Sequence, residues 1–486
     1  MYNVAKFCPT FTGCFVSLIL KKMMRASRPN AIAQYKFGQP ALSKSFGPLP
    51  REKKVAVDGG VKKTTLANGA TIVSHDKDGG HSALGFYINA GPKSDPLAIP
   101  GLSYVMRFAL LTSNFDNSLF QIDRAMRSNG YAYGHGEIRK KFLALKAEGR
   151  RDLWQAPFQQ LATCVAAPRF AEPDIERFRD TMDNQRSEQR WQVPREYSVD
   201  QLETVAFFKE PLGSPRHVPA YSNDKASSVA LMDHYASLIT PANVTIAAVN
   251  INHEELVAAY ETQAFPHSAS APHHANATKV TVSDKDEAAQ FHAGRMFTEY
   301  ENRAKEMGTR PDMEDDVAAA VGWLANGRDS SIASYAASVV YAELLSASLK
   351  VGASFNSQTT QGLRSFYRPY SSTGLVGFTA YGAPSAIPQL LRDGAAKIAA
   401  QLDESAINGA KARAVVRIQN ENLEVARDYA DFLGTSANSA EEIFSAIQNV
   451  SAADVKRAAD LARSAKPAVF ATGKTLDFPS YDALKL

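Results

Sequence analysis

The feature that most constrains the fold is an internal repeat, because segments of the first half of the chain recur in the second half. The matching pairs are Tyr87 with Trp323, Ala147 with Ala380, and Pro241 with Pro467, at offsets of 236, 233 and 226 residues. Simple alternation of strands and helices would not keep the offset this constant. The repeat therefore favours two copies of one folding unit.

Each copy alternates apolar strands with amphipathic helices in the same order. The first half predicts strands at Ser82–Gly91, Lys140–Gly149 and Ala242–Ile251, and helices near 101–112, 151–166 and 172–190, with more helix to about 238. The second half predicts strands at Val317–Gly327, Thr373–Gly382 and Lys466–Gly473, and helices at Ser331–Ser348 and Pro384–Leu402. The sequence thus predicts an α+β fold of two homologous domains, each a mixed β-sheet covered by helices.

Composition marks the ends of these domains. Residues 263–290 are rich in Ala, Ser, Pro and His and contain few large apolar side chains, which is typical of an exposed linker. We therefore expect an N-terminal domain at 55–262 and a C-terminal domain at 291–486. The adjacent His273 and His274 are interpreted as ordinary polar residues of this exposed linker, not as metal ligands.

The first 51 residues differ from the remainder in charge. They hold eight Lys and Arg and no acid, and the first acidic residue is Glu52. A basic, acid-free, Ser-containing leader is typical of a mitochondrial or plastid transit peptide, so residues 1–50 are predicted to be a targeting leader and extension. The apolar run Phe7–Leu20 could also suggest a signal peptide or a membrane span. However, the basic cluster follows this run, and Pro9 interrupts a stretch shorter than the roughly 20 residues that a span needs.

Charge and cysteine content exclude several classes of function. Beyond residue 51, 46 Lys and Arg stand against 50 Asp and Glu, so the body is mildly acidic and predicts no nucleic-acid partner. Cys164 is the single cysteine of the body. One thiol cannot build a disulfide framework, a cysteine zinc site or an iron–sulfur cluster, and we expect no cofactor.

The segment "GLSYVMRFALL" (Gly101–Leu111) is a glycine-led apolar helix that follows a strand ending in "NAG". Together with the repeat and the leader, it resembles the pitrilysin-type metallopeptidases over roughly residues 60–480. The mitochondrial members of that family are the processing peptidase subunits and the core proteins of the cytochrome bc1 complex (complex III). Active members carry the inverted zinc motif H-x-x-E-H on this helix and a third, carboxylate ligand on a later helix.

The resemblance places this chain's own residues on the motif. Gly101 falls on the leading glycine, Tyr104 on the first His, Arg107 on the Glu, and Phe108 on the second His. Gln185 falls on the third ligand. A guanidinium cannot act as a general base and its charge opposes a dication, and a phenyl ring cannot ligate. We therefore expect no catalytic, cofactor-binding or metal-binding residues, and His135 elsewhere lacks metalloprotease spacing.

Two non-catalytic types of family member remain as expectations. The α-subunit of the processing peptidase uses a glycine-rich loop to hold substrate, whereas the matching segment Ser346–Phe366 has only Gly352 and Gly362. An Arg at the Glu position is a feature of one complex III core protein, which Arg107 fits, and Leu363–Gly382 also resembles that subunit. The α-subunit type stays the alternative, and one protein serving both roles is also conceivable.

The favoured resemblance implies a structural subunit on the matrix side of the mitochondrial inner membrane. It would pair with a homologous core protein and join other complex III subunits, including cytochrome b. Its membrane association would be peripheral, through these partners, because the sequence outside the leader has no apolar run long enough to cross a bilayer.

Overall fold

A computed structural model describes residues 60–136, 138–263, 289–299, 316–347, 361–476, 478 and 481–484. The predicted leader, residues 264–288 of the predicted linker, and Gly352 lie outside these described residues. Residues 57–486 form one compact unit. Within the described residues, no helix is both long enough and apolar enough to cross a lipid bilayer.

The first half builds a six-stranded sheet. Its strands are β1 (Val61–Thr65), β2 (Thr71–His75), β3 (His81–Ile88), β4 (Ala132–His135), β5 (Leu143–Arg150) and β6 (Val244–Val249). Their spatial order is β1-β2-β6-β3-β5-β4. Only the β2–β6 pair is parallel, so the sheet is mixed.

The second half builds a five-stranded sheet with the same topology. Its strands are β7 (Arg295–Glu299), β8 (Val317–Asn326), β9 (Gly362–Pro369), β10 (Thr373–Gly382) and β11 (Ala468–Gly473). The order β7-β11-β8-β10-β9 repeats β2-β6-β3-β5-β4, and the parallel pair β7–β11 takes the place of β2–β6. The predicted α+β fold with two mixed sheets is confirmed, and β10 has the predicted bounds.

Helices cover both sheets. They are α1 (Leu102–Leu110), α2 (Leu119–Ser128), α3 (Gln155–Ala166), α4 (Glu172–Gln192), α5 (Pro194–Ala206), α6 (Ser228–Leu238), α7 (His253–Gln263), α8 (Ile332–Ala347), α9 (Ile387–Ala399), α10 (Ile407–Asn422), α11 (Ala426–Thr435), α12 (Ala440–Asn449) and α13 (Ala452–Arg463). Single helical turns occur at Ala220–Asn223 and Tyr481–Leu484. The sequence predicts α1, α3, α4, α8 and α9, and further helix to about 238, where α5 and α6 lie. It does not predict β9 or the helices α2, α7 and α10–α13.

Each half of the chain lends one helix to the sheet of the other half. Helix α5 lies on the second sheet, where Tyr197 and Leu202 pack into an apolar cluster with Leu375 and Phe470. Helix α11 lies on the first sheet, and Gly434 lets its backbone approach the ring of Tyr87 so closely that a Cβ there would come within 2.2 Å of the ring. The two halves are therefore interlocked.

The two exchanged helices also share a short sequence. Their common residues are Val193 with Val425, Arg195 with Arg427, Glu196 with Asp428, and Tyr197 with Tyr429, all at an offset of 232 residues. This fourth repeat falls inside the range of the other offsets. This shared pattern could have shown, from the sequence alone, that the two helices correspond to each other.

A buried ionic cluster fixes α5 between the halves. Glu203 on α5 is fully buried and lies 3.0 Å from the Lys140 ammonium and 2.8 Å from the Arg216 guanidinium. Tyr370, from the second half, donates a 2.5 Å hydrogen bond to the same carboxylate. Although burial alone would raise its pKa, the Arg216 and Lys140 charges hold the pKa of Glu203 far below the usual value, so it stays ionised.

Arg195 makes a second link from α5 to the second half. Its guanidinium donates to the Thr379 carbonyl oxygen at 2.9 Å and to the Gly362 carbonyl oxygen at 3.0 Å. These two acceptors lie on neighbouring strands β10 and β9. The side chain therefore anchors the first turn of α5 to the edge of the second sheet.

Candidate functional site

Helix α1 carries the motif positions, and a glycine sets where it begins. Gly101 has φ 85°, a left-handed conformation that disfavours residues with a side chain. A Cβ at this position would also lie 2.6 Å from the Val218 Cα. The leading glycine of the motif is thus required by backbone conformation and by close packing.

Asp95 caps the same helix. Its carboxylate accepts hydrogen bonds from the backbone N–H of Gly101 at 2.8 Å and of Ser103 at 2.9 Å. The Ser103 hydroxyl also donates to Asp95, and His234 Nε2 lies 3.4 Å from the same carboxylate. All three side chains are buried, so this Ser–His–Asp group holds the helix end and offers no accessible nucleophile.

The structure brings together the side chains at all four motif positions. The Tyr104 hydroxyl donates a 2.8 Å hydrogen bond to Gln185 Oε1, which links the position of the first His to that of the third ligand. The rings of Tyr104 and Phe108 meet edge to face with centroids 5.2 Å apart. Spacings of three and four residues place these side chains on one face of α1.

Arg107 lies against both rings. Its guanidinium carbon is 4.7 Å from each ring centroid, and its Nη1 donates to the Gly136 carbonyl oxygen at 3.1 Å. This geometry gives two cation–π contacts and one hydrogen bond to a single half-buried cation. Burial raises the pKa of Tyr104, so its hydroxyl keeps its proton at neutral pH and supplies no base. Burial lowers the pKa of Arg107 from its ordinary value, but a guanidinium stays protonated in proteins.

Two histidines complete the cluster, and no sequence pattern predicted that either of them lies there. His135, at the end of β4, meets the Phe108 ring at 4.6 Å, and His217 meets the Tyr104 ring at 4.9 Å. Burial, followed by the charge of Arg107, lowers the pKa of His135 to about 3 and that of His217 to about 4. Both imidazoles are therefore neutral at physiological pH.

The donor set at the motif positions does not suit a zinc ion. Zinc in catalytic sites takes three nitrogen, sulfur or carboxylate ligands and keeps one open position. Phe108 has no donor atom, Gln185 has no charge and accepts a hydrogen bond from Tyr104, and the Arg107 cation lies against the rings of Tyr104 and Phe108. Among the described residues, no group of three or more His, Cys, Asp or Glu side chains could hold a metal ion.

Comparison with known proteins agrees with this geometry. Residues 71–220, which include α1 and Gln185, match the family model described as insulinase (peptidase family M16). This part of the chain is similar to the M16 peptidases. An inactive peptidase M16 domain from Pseudomonas fluorescens has the same fold, with a TM-score of 0.68 and 17% identity over 86% of this chain and 98% of that one.

Among sequence relatives, a ubiquinol-cytochrome-c reductase complex core protein 2 from Euglena gracilis is 26% identical over 88% of this chain and 89% of its own length. Rat cytochrome b-c1 complex subunit 2 is 25% identical over 40% of this chain and 42% of its own length. A mitochondrial-processing peptidase subunit alpha-2 from Dictyostelium discoideum is 22% identical over 87% of this chain and 94% of its own length. The resemblance to core protein 2 within this peptidase family is therefore confirmed.

Proposed function

We propose that this chain is a non-catalytic structural core subunit of the mitochondrial ubiquinol–cytochrome c reductase complex, of the core protein 2 type. The observation that carries the proposal is similarity to the Euglena gracilis core protein 2 along nearly the whole length of both chains. The subunit supports assembly and stability of the complex on the matrix side of the inner membrane.

The packing of the candidate site supports a role without catalysis. In a hydrolytic site, a general base and an open metal position must reach the substrate. Here the corresponding space is filled by Tyr104, Phe108 and the Arg107 cation, in contact with two neutral histidines. The residues at the motif positions therefore stabilise the core of the first half and do not position a catalytic water.

The proposal also covers partners and domain boundaries. The chain pairs with a homologous core protein 1, joins other complex III subunits including cytochrome b, and reaches the membrane through these partners. It binds no nucleic acid and no cofactor. The ranges 55–262 and 291–486 are its two domains, joined by the linker 263–290, and residues 1–50 are the mitochondrial leader and extension.

The decisive experiment is to tag the full chain at its C-terminus in its own cells and to separate detergent-solubilised mitochondria on a native gel. We expect the tag to co-migrate with cytochrome b and with ubiquinol–cytochrome c reductase activity. Depletion of the chain should lower the amount of assembled complex. Migration only as a soluble species, with normal complex III after depletion, would reject the proposal.

Absence of catalysis needs its own measurement. The purified chain should contain far less than one zinc per polypeptide by elemental analysis, and adding zinc should produce no peptidase activity. One tightly held zinc together with cleavage that a chelator abolishes would contradict a non-catalytic role, even if the chain were part of complex III.

The α-subunit of the mitochondrial processing peptidase is the second candidate. The observation that favours it is the match to the Dictyostelium discoideum α-2 subunit over most of both chains. It predicts a soluble heterodimer with a catalytic β-subunit. Depletion of the chain would then abolish presequence removal in matrix extracts, whereas the core protein proposal predicts that processing persists.

A further inference from the structure

Strand β7 ends the second sheet on one side, and the internal repeat shows which kind of element can lie beside it. In the first sheet the corresponding strand is β2, which pairs in parallel with β6 as β7 pairs with β11. Strand β1 covers the outer edge of β2 in an antiparallel pairing. No strand covers the outer edge of β7 in the part of the chain that the structure describes. The repeat therefore indicates that β7 can accept one more antiparallel strand.

The backbone groups that face this edge belong to alternate residues of β7. At the start of the β7–β11 ladder, the Val469 N–H donates to the Gly294 carbonyl oxygen at 2.8 Å. Because hydrogen-bonding directions alternate along a strand, the even-numbered residues of β7 also point their backbone groups at β11. Arg295, Phe297 and Glu299 therefore point their N–H and C=O groups outward. An added strand would form its hydrogen bonds with these three residues.

The sequence of β7, Arg-Met-Phe-Thr-Glu, is complementary to itself in the antiparallel direction. When Phe297 lies opposite Phe297 of a second copy, Arg295 lies opposite Glu299 and Glu299 lies opposite Arg295. These are also the residues whose backbone groups face the edge, so the hydrogen bonds and both ion pairs form in the same register. Opposite charges directly across an antiparallel pair attract each other, whereas like charges are destabilising.

The side chains at this edge are accessible and correctly placed. Arg295 and Glu299 are exposed, and Met296 is 41% exposed. Glu299 Oε2 accepts hydrogen bonds from the Thr475 N–H at 2.8 Å and from the Thr475 hydroxyl at 3.1 Å, which fixes the carboxylate at one end of the strand. At the other end, the Arg295 guanidinium carbon is 6.0 Å from the Phe297 ring centroid. Both charges lie on one face of the sheet, as a twofold pairing requires.

The other outer strands of the described sheets lack this property. Strand β1 carries two lysines and β9 carries two arginines, with no acidic residue on either strand. Self-pairing of either strand would bring no opposite charges together, and basic side chains are a common protection of sheet edges against association. Strand β4 has four residues and no Asp, Glu, Lys or Arg. Among the described edges, β7 alone carries opposite charges in a self-complementary order.

We propose that a second copy of this chain docks on β7, in an antiparallel pairing centred on Phe297 that joins the two second sheets into one continuous sheet. The pairing is isologous, because each copy uses the same residues, and it closes at two copies. The inference concerns the chain alone and does not depend on the structural role proposed above. Because β7 has five residues, the interface is small, and we expect a weak dimer with a Kd of about 10 µM.

Sedimentation velocity of the purified full chain over a range of concentrations tests the proposal. We expect a reversible equilibrium between monomer and dimer. A chain that is still monomeric at about ten times the expected Kd would overturn the proposal. This result would also be obtained if another segment of the same chain, or a different protein, were the partner of β7.

Charge-reversal variants test whether β7 is the surface that pairs. Arg295→Glu places a carboxylate opposite Glu299 on both sides of the twofold axis, and Glu299→Lys places an ammonium opposite Arg295. Each change should weaken dimerisation by about tenfold or more, because two attractive pairs become repulsive. Arg124→Glu makes the same charge change on the exposed surface of α2 and should leave the Kd unchanged. A dimer that is as strong in Arg295→Glu as in Arg124→Glu would refute pairing through β7.

A mixture of the two variants separates a lost contact from a lost fold. In a mixed dimer, the carboxylate introduced at position 295 faces the ammonium introduced at position 299, and the native Glu299 faces the native Arg295. The mixture should therefore dimerise about as tightly as the wild type, although neither variant does so alone. A mixture that stays monomeric, while both variants keep the wild-type urea midpoint, would show that this register does not form.

A further variant covers the case in which Glu299→Lys does not fold. Glu299→Gln keeps a side-chain oxygen that can accept the bonds from Thr475. In a mixture with Arg295→Glu, one pair is neutral and the other is the native ion pair. This mixture should dimerise more tightly than Arg295→Glu alone, and equal affinities would contradict the proposed register.

Discussion

Replacing Glu203 by Gln tests whether the ionic cluster holds the two halves together. The change keeps the size of the side chain and removes one negative charge that faces both Lys140 and Arg216. The two cations are then left with Asp200, which lies 3.3 Å from Arg216. Tyr370 also loses a charged acceptor at 2.5 Å.

The expected cost follows from burial. Glu203 is fully buried and Lys140 is 4% exposed, so water cannot replace the lost partner. Removing one member of a buried, hydrogen-bonded ion pair typically costs about 3–5 kcal/mol, and we expect a loss of that size in the free energy of unfolding. The measurement is urea unfolding of the purified chain at neutral pH, followed by tryptophan fluorescence.

Two further variants make the test specific. Glu255→Gln removes an exposed carboxylate on α7 and should change stability by no more than about 0.5 kcal/mol. Adding Lys140→Met to Glu203→Gln removes one of the two orphaned cations, so the double variant should be more stable than the sum of the single effects implies, by about 1–3 kcal/mol. The reasoning fails if Glu203→Gln costs no more than Glu255→Gln, or if the two effects simply add.

The sign of the pH dependence gives an independent check. The pKa of Glu203 is held below its unfolded value, so its contribution is present above the unfolded pKa of about 4.3 and is lost as pH falls below it. The stability difference between wild type and Glu203→Gln should therefore be full at pH 6–8 and should shrink on acidification below about pH 4. A difference that grows on acidification would contradict this assignment.

Three other predictions concern the candidate site. Gly101→Ala should cost more than Gly130→Ala by about 2 kcal/mol in urea unfolding, since both have positive φ but only Gly101 would place a Cβ against backbone atoms. The pKa of His217 is lowered to about 4, so its neutral form stabilises the fold above the unfolded pKa of about 6.5, and about 3 kcal/mol should be lost as pH falls from 6.5 to 4. His217→Gln should flatten that part of the stability profile, and an unchanged slope would refute the assignment. Tyr104→Phe removes the hydrogen bond to Gln185 and should cost about 1 kcal/mol, measured against the wild type in the same assay.

Local patterns in the sequence were enough to predict three central strands of each sheet, β6, β3 and β5 in the first and β11, β8 and β10 in the second. Apolar runs of this length, such as Thr373–Gly382, favour buried strands, and the repeat predicts the same order of strands in both halves. The sequence also predicted that Tyr104, Arg107 and Phe108 lie on one face of α1, because these residues follow helical spacing. Their contact with Gln185, far along the chain, came from the family resemblance alone, since no local pattern encodes it.

The sequence did not reveal which sheet each helix covers. Helix α5 lies in the first half of the sequence but packs on the second sheet, and periodicity shows an apolar face without showing what that face contacts. The shared Val-x-Arg-acid-Tyr pattern at Val193 and Val425 marked the exchanged pair, but its meaning required the structure. The placement of His217 against Tyr104 had no sequence signal, because it depends on how the loop before Val218 returns to α1.

The exchange of helices has a consequence for biosynthesis. A ribosome makes the chain from its N-terminus, and domains that depend on nearby residues can fold during synthesis. The first sheet of this chain can complete its strands early, but the face around Tyr87 and Ala247 stays uncovered until α11 has emerged. Folding therefore cannot be completed before α11 has been made, and until then the first half carries exposed apolar surface around Tyr87.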